Sequence, residues 1–171
     1  MLKPEPSEYN PYFKAYIDLV PEGQFQVLLS QNSERMIAYC NAISETDSNY
    51  QYGADKWSIK EVLMHIIDVE RTMVNRAFVA SRGDNESTLF KMDDALYQKN
   101  AKAATRSFKN LVEEFNLVRA NTFFFFNTLN DSQSELKANT VPQAISVRAL
   151  AYIIIGHSYH HLNILKERYK F

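Results

Sequence analysis

Apolar residues recur along most of this chain at three- and four-residue steps, a spacing that predicts helices rather than strands. Over residues 24–44 the repeating positions are Phe25, Leu28, Leu29, Met36, Ile37, Cys40 and Ile43. A second stripe, Ile59, Val62, Ile66, Val69 and Met73, predicts a helix running to about residue 80, where Ser81-Arg82-Gly83-Asp84-Asn85 stops it. The start of that helix is marked. Ser58-Ile59-Lys60-Glu61 has the S-x-x-E form of a capping box, and Trp57 and Val62 are placed for a hydrophobic staple across it. A third helix is predicted over 105–129, and a fourth from Ser146, after Pro142, to about Arg168.

The segments between are less periodic. Residues 83–104 are more polar and read as a connection holding a short helix around Asp93–Asn100. Residues 1–22 carry Pro4, Pro6, Pro11 and Pro21 and read as an irregular arm with a helical turn near Phe13–Ile17. No stretch sustains two-residue alternation. Four long helices in 171 residues predict an all-α fold, a four-helix bundle in one domain, with the arm over 1–22 and the bundle over 24–171.

Composition narrows the function classes. Nineteen Lys and Arg against twenty Asp and Glu give a formal net charge of −1, which argues against nucleic acid as a partner. No apolar run approaches the roughly 18–20 residues that span a bilayer, and the first residues, MLKPEPSEYN, hold no apolar signal core. The expectation is a cytoplasmic protein with no membrane partner. A single cysteine, Cys40, excludes a disulfide framework and a cysteine-rich zinc site. Its place in the first apolar stripe predicts a buried thiol rather than a nucleophile.

The histidines carry the candidate chemistry. There are four: His65, His157, His160 and His161. His157 and His161 stand four apart, within the stripe Leu150, Ile154, His157, His161, Ile164 and Leu165. Two imidazoles inside a core-facing seam need a shared partner, since an unsatisfied buried polar group costs on the order of 1–3 kcal/mol. A divalent metal is one such partner; hydrogen bonds to Tyr, Asp or Glu are the other. His65, at the inner edge of the second stripe, is the natural third ligand. His160 points about 100° away from His161 and is expected to pack beside the site. Three neutral imidazoles would leave ligand positions open, the pattern of a catalytic rather than a structural metal site.

Other candidates stand around this trio. Asp68, one turn beyond His65, is the candidate catalytic carboxylate. Glu61 is expected to serve the cap, and Glu70 to lie on the surface. Arg71 and Arg148 could recognise a carboxylate of a thiol cofactor, although solvation is the commoner fate. Phe123-Phe124-Phe125-Phe126 spreads over 300° of a helix, so at least one ring is expected to meet a partner subunit, the arm or a pocket.

Trp57 through Asp68, followed far downstream by Gly156-His157-Ser158-Tyr159-His160-His161, resembles the DinB/YfiT-like superfamily. The shared pattern is a tryptophan shortly before a helical histidine and a late H-x-x-x-H. Ser146-Val147-Arg148-Ala149-Leu150 at the head of the last helix is similar as well. The resemblance implies an up-down-down-up bundle, commonly a homodimer, with zinc or nickel on His65, His157 and His161. Many relatives have Glu where this chain has Ser158, so no carboxylate role carries over there. The implied chemistry is activation of a low-molecular-weight thiol or of water, for S-transfer to, or hydrolysis of, a small-molecule substrate. The alternative is a non-enzymatic, metal-stabilised helical module for binding or dimerisation.

Overall fold

The computed structural model describes residues 1–169. Among these residues seven α-helices and one small hairpin follow each other: α1 (Lys14–Asp18), α2 (Phe25–Asn41), α3 (Ile59–Ser81), α4 (Asp94–Ala101), α5 (Phe108–Asn127), α6 (Asp131–Glu135), β1 (Lys137–Ala138), β2 (Ile145–Ser146) and α7 (Val147–Arg168). The four long helices form the bundle. α3 packs against α7 and α5, and α2 packs against the same two, so α2 and α3 take opposite corners.

End-to-end contacts set the helix directions. Phe25, at the start of α2, meets Phe126 at the end of α5 and Tyr152 near the start of α7. Near the other end of α2, the Tyr39 hydroxyl donates to the Leu165 carbonyl of α7. The Tyr169 hydroxyl, just past α7, donates at 2.6 Å to the Trp57 carbonyl, just before α3. α2 and α7 thus run one way and α3 and α5 the other.

Local signals explain the boundaries. Ser58 accepts from the Glu61 amide, and Glu61 accepts from the Ser58 amide at 2.7 Å, so the capping box forms as its sequence predicts. Ser58→Ala is expected to lower stability by about 1 kcal/mol, read from urea unfolding; an unchanged midpoint would remove the cap's contribution. Ser146 caps α7 by accepting from the Ala149 amide. α5 begins at Phe108, three residues later than the periodicity predicts. Lys102 adopts a left-handed conformation (φ 52°), residues 103–105 form a 3-10 turn, and Ser107 provides the cap. Its apolar period continues into that turn, where Ala103 is buried.

The arm is more ordered than its prolines suggest. Two of them open 3-10 turns, Pro6–Glu8 and Pro11–Phe13, and α1 follows directly. Arg148 clamps Glu8 through two contacts of 2.6 and 2.7 Å. Ile17 and Val20 enter the core. α1 lies against α7 at Gly156, where an added Cβ would stand 2.0 Å from the Tyr16 carbonyl oxygen.

Two expectations about charged side chains, those for Glu70 and Arg148, are corrected. Glu70 is not on the surface: it is buried, it accepts from the Thr122 hydroxyl at 2.6 Å, and it stands 2.9 Å from Arg119. Burial reaches it because α5 and α7 both cover α3, leaving that helix little solvent face. Arg148 is not solvated but tied to Glu8. Arg71 keeps an exposed side chain yet contacts Glu114 at 2.6 Å. Neither arginine is free for a cofactor carboxylate. Of the four consecutive phenylalanines, Phe126 enters the core, Phe123 and Phe125 are half-buried, and Phe124 is 71% exposed.

Candidate metal centre

α3 and α7 face each other through their histidines. The capping box fixes where α3 begins, and His65 falls in its second turn, on the face that meets α7. α7 brings His157 and His161 to the same point because residues four apart share a helix face. His65 Nε2 and His161 Nε2 each lie 3.1 Å from His157 Nε2. One ligand atom from each of the three histidines falls within 4.8 Å of the others. His65 and His157 are buried and His161 is half-buried.

This arrangement suits a metal ion, because one His157 nitrogen, with a single proton or a single lone pair, cannot satisfy both neighbours by hydrogen bonds. Two imidazole nitrogens bound to one tetrahedral zinc at about 2.0–2.1 Å stand about 3.3–3.4 Å apart, within a few tenths of an ångström of the spacing found. Protonation is also right for donation. Burial pushes His157 well below its ordinary value, and the neighbouring His161 and His65 push it further. Burial, then His65 and His160, brings His161 down to about 3. Burial likewise lowers His65. All three rings are therefore neutral near neutral pH, the form that donates a lone pair to a metal. Among the described residues no carboxylate joins this donor group, so a bound ion would keep positions for another ligand.

Aromatic rings hold the imidazoles in place. Trp57 packs on His65 with ring centroids 4.9 Å apart. Tyr16 meets His157 edge-on at 5.5 Å and His160 at 5.2 Å. His160 also touches His161 and contributes no nitrogen to the group, as its 100° offset predicts. Asp68 lies one turn along α3, in a recess with Met64, Leu96, Tyr97, Asn100 and Ala101. Its carboxyl is raised by burial, against the opposing pull of Arg71 at 3.9 Å. Glu61 serves the cap. Cys40 is buried and its thiol is pushed up to about 12, so no reactive thiolate forms there.

Two neighbours of the centre are not evident in the sequence. Tyr16 reaches it only because the arm folds back on Gly156. Its signal was the aromatic run Tyr12, Phe13 and Tyr16, in a segment whose prolines dominate the pattern. Asp94, the first residue of α4, carries a charge that favours the protonated forms of both His65 and Tyr16. Nothing in the polar connection singled it out.

Fold and donor set together define a helical-bundle protein with a three-histidine centre. The family model of the DinB superfamily matches residues 28–165, and the chain belongs to that superfamily. It is similar in fold to YfiT from Bacillus subtilis, described as a probable metal-dependent hydrolase with an unusual four-helix bundle topology. That likeness has a TM-score of 0.71 at 13% identity, over 98% of this chain and 91% of YfiT. It is also similar to a mycothiol-dependent maleylpyruvate isomerase, with a TM-score of 0.70 at 10% identity, over 88% of this chain and 62% of the isomerase. At such identities the likeness shows the fold alone. No curated protein matches the sequence.

Proposed function

We propose that this chain is a divalent-metal-dependent enzyme in which His65, His157 and His161 hold zinc or nickel. A low-molecular-weight thiol or water is then activated for S-transfer to, or hydrolysis of, a small-molecule substrate. The observation that carries this reading is the convergence of three neutral imidazole nitrogens with no carboxylate in the group. When bound, the ion supplies Lewis acidity that brings a thiol or water towards deprotonation near neutral pH.

The chain's own residues do the rest. Burial keeps the three imidazoles unprotonated. Trp57 and Tyr16 fix two of the rings and exclude water from their faces. Asp68, whose carboxyl burial raises, is the proposed proton carrier beside the centre. The two structural neighbours, one a probable hydrolase and one a thiol-dependent isomerase, support both branches of the chemistry. Exposed Phe78 and Leu117, which line one open recess with Phe125 between α3 and α5, support the homodimer that the resemblance implies.

The test is elemental mass spectrometry on protein purified without an affinity tag or chelating column. About one zinc or nickel ion per chain is expected, lost in His161→Ala while the helical circular dichroism persists. No metal in either protein, and none taken up on titration, would overturn the metalloenzyme reading.

A further inference from the structure

α3 carries a second buried polar group on the face that holds His65. His65, Val69, Thr72 and Arg76 follow one another at four, three and four residues, so they form one stripe, and all four are buried. Arg76 is only 7% exposed. One of its terminal nitrogens, Nη2, donates to the Phe90 carbonyl at 2.7 Å. The other, Nη1, has only the Met73 thioether, at 3.6 Å, and Nε has no partner.

What Arg76 lacks is a carboxylate. Every other buried or half-buried arginine has one: Arg106 has Glu114, Arg119 has Glu70, and Arg148 has Glu8. Among the described residues no acidic group pairs with Arg76. Burying a cation without a counter-ion is costly for a fold. A ligand that brings the missing negative charge removes the cost. A guanidinium with unused donors is the group best suited to a carboxylate.

The position fits the same site. Helical side chains lean towards the N-terminus of their helix, and the contact with Met73, three residues earlier, shows that Arg76 does so. The eleven-residue separation from His65 is about 16 Å along the axis, and both side chains lean the same way, so a carboxylate in contact with the guanidinium stands about 11–12 Å from an atom bound at the centre. The segment leading into α4 roofs this line. The Thr72 hydroxyl contacts Met92 Sδ at 3.5 Å, and the Phe90 carbonyl sits on Arg76.

We propose that Arg76 is the anion anchor of the centre. It takes a carboxylate carried by the thiol or the substrate about 11–12 Å from the reacting atom. The proposal rests on the reading of His65, His157 and His161 as metal ligands. It makes Arg76 a specificity-determining residue and the preferred ligand an elongated acid.

The experiment uses cobalt-loaded protein and two matched thiols, ω-mercaptooctanoate and ω-mercaptooctanol, which differ only in the far end group. Binding is read from thiolate-to-cobalt absorption. The wild type is expected to bind the carboxylate thiol about tenfold more tightly, and Arg76→Met to bring the ratio to about one, with Arg76→Lys in between. In the ligand-free protein Arg76→Met is also expected to raise the thermal midpoint, because it removes an unpaired buried charge. An arginine with a purely structural role would lower it. No preference in the wild type, or a preference that survives in Arg76→Met, overturns the anchor. If neither thiol perturbs the cobalt spectrum, the thiol reading of the centre fails. The anchor is then judged on its own by thermal stabilisation with hexanoate against hexanol. Stabilisation by hexanoate in the wild type but not in Arg76→Met upholds it, and equal responses overturn it.

Discussion

Arg119→Leu is expected to destabilise this protein by about 3–5 kcal/mol, because it strands a buried carboxylate. Arg119 and Glu70 are 5% and 2% exposed, and the Arg119 Nη1 donates to the Asn32 side chain at 3.1 Å. These three residues, with Thr122, tie α2, α3 and α5 together inside the bundle. Removing the guanidinium leaves Glu70 with the Thr122 hydroxyl alone, and removes the partner of the Asn32 carbonyl. The pair itself is not the source of that number. Its net contribution is small once desolvation of both ions is counted, whereas one ion left behind has no compensation. The double variant Glu70→Leu with Arg119→Leu should therefore recover most of the loss. Urea unfolding of the wild type, the two single variants and the double variant checks this. A double variant as unstable as the sum of the singles would show that Glu70 and Arg119 contribute independently of each other.

The same pair shows where sequence reading stops. Periodicity located all four long helices, because each buries a stripe and the stripe is written in the order of apolar residues. The Ser58–Glu61 box was legible for a related reason: a cap is a local event, complete within four residues. The histidine trio was legible because His157 and His161 are i and i+4 within an apolar seam. Glu70 was not, because its burial depends on Arg119 arriving from α5, 49 residues away in sequence. Arg148 is the same case, since Glu8 comes to it from the arm. Residues 131–146, with α6 and the β1–β2 hairpin, carry too short a pattern for either helical or strand period to emerge. A lone polar residue in an amphipathic pattern has two readings, surface or paired interior, and only the opposing helix decides between them.

Gly156 turns that argument round, since here a local rule predicts the wrong sign. Alanine is favoured over glycine in a helix interior by about 1 kcal/mol, so Gly156→Ala in α7 would be expected to stabilise. The packing forbids it. The new Cβ would lie 2.0 Å from the Tyr16 carbonyl oxygen and 2.4 Å from its carbonyl carbon, both backbone atoms of α1. No rotamer change relieves a clash with backbone, so α1 must move off α7 by more than an ångström. That movement draws the Tyr16 ring from its edge contacts with His157 and His160 and loosens the burial of Ile17 and Val20. The expected result is a net loss of about 1–3 kcal/mol, confined to the arm and the centre. Limited proteolysis should cut the arm of Gly156→Ala faster than that of the wild type, while the four long helices stay resistant. Metal affinity should fall as well, because His157 loses a ring that fixes its orientation. A Gly156→Ala protein that is more stable than the wild type by about 1 kcal/mol, the propensity value, would mean that α1 does not dock on α7 in solution. Tyr16 would then have no place beside the histidines.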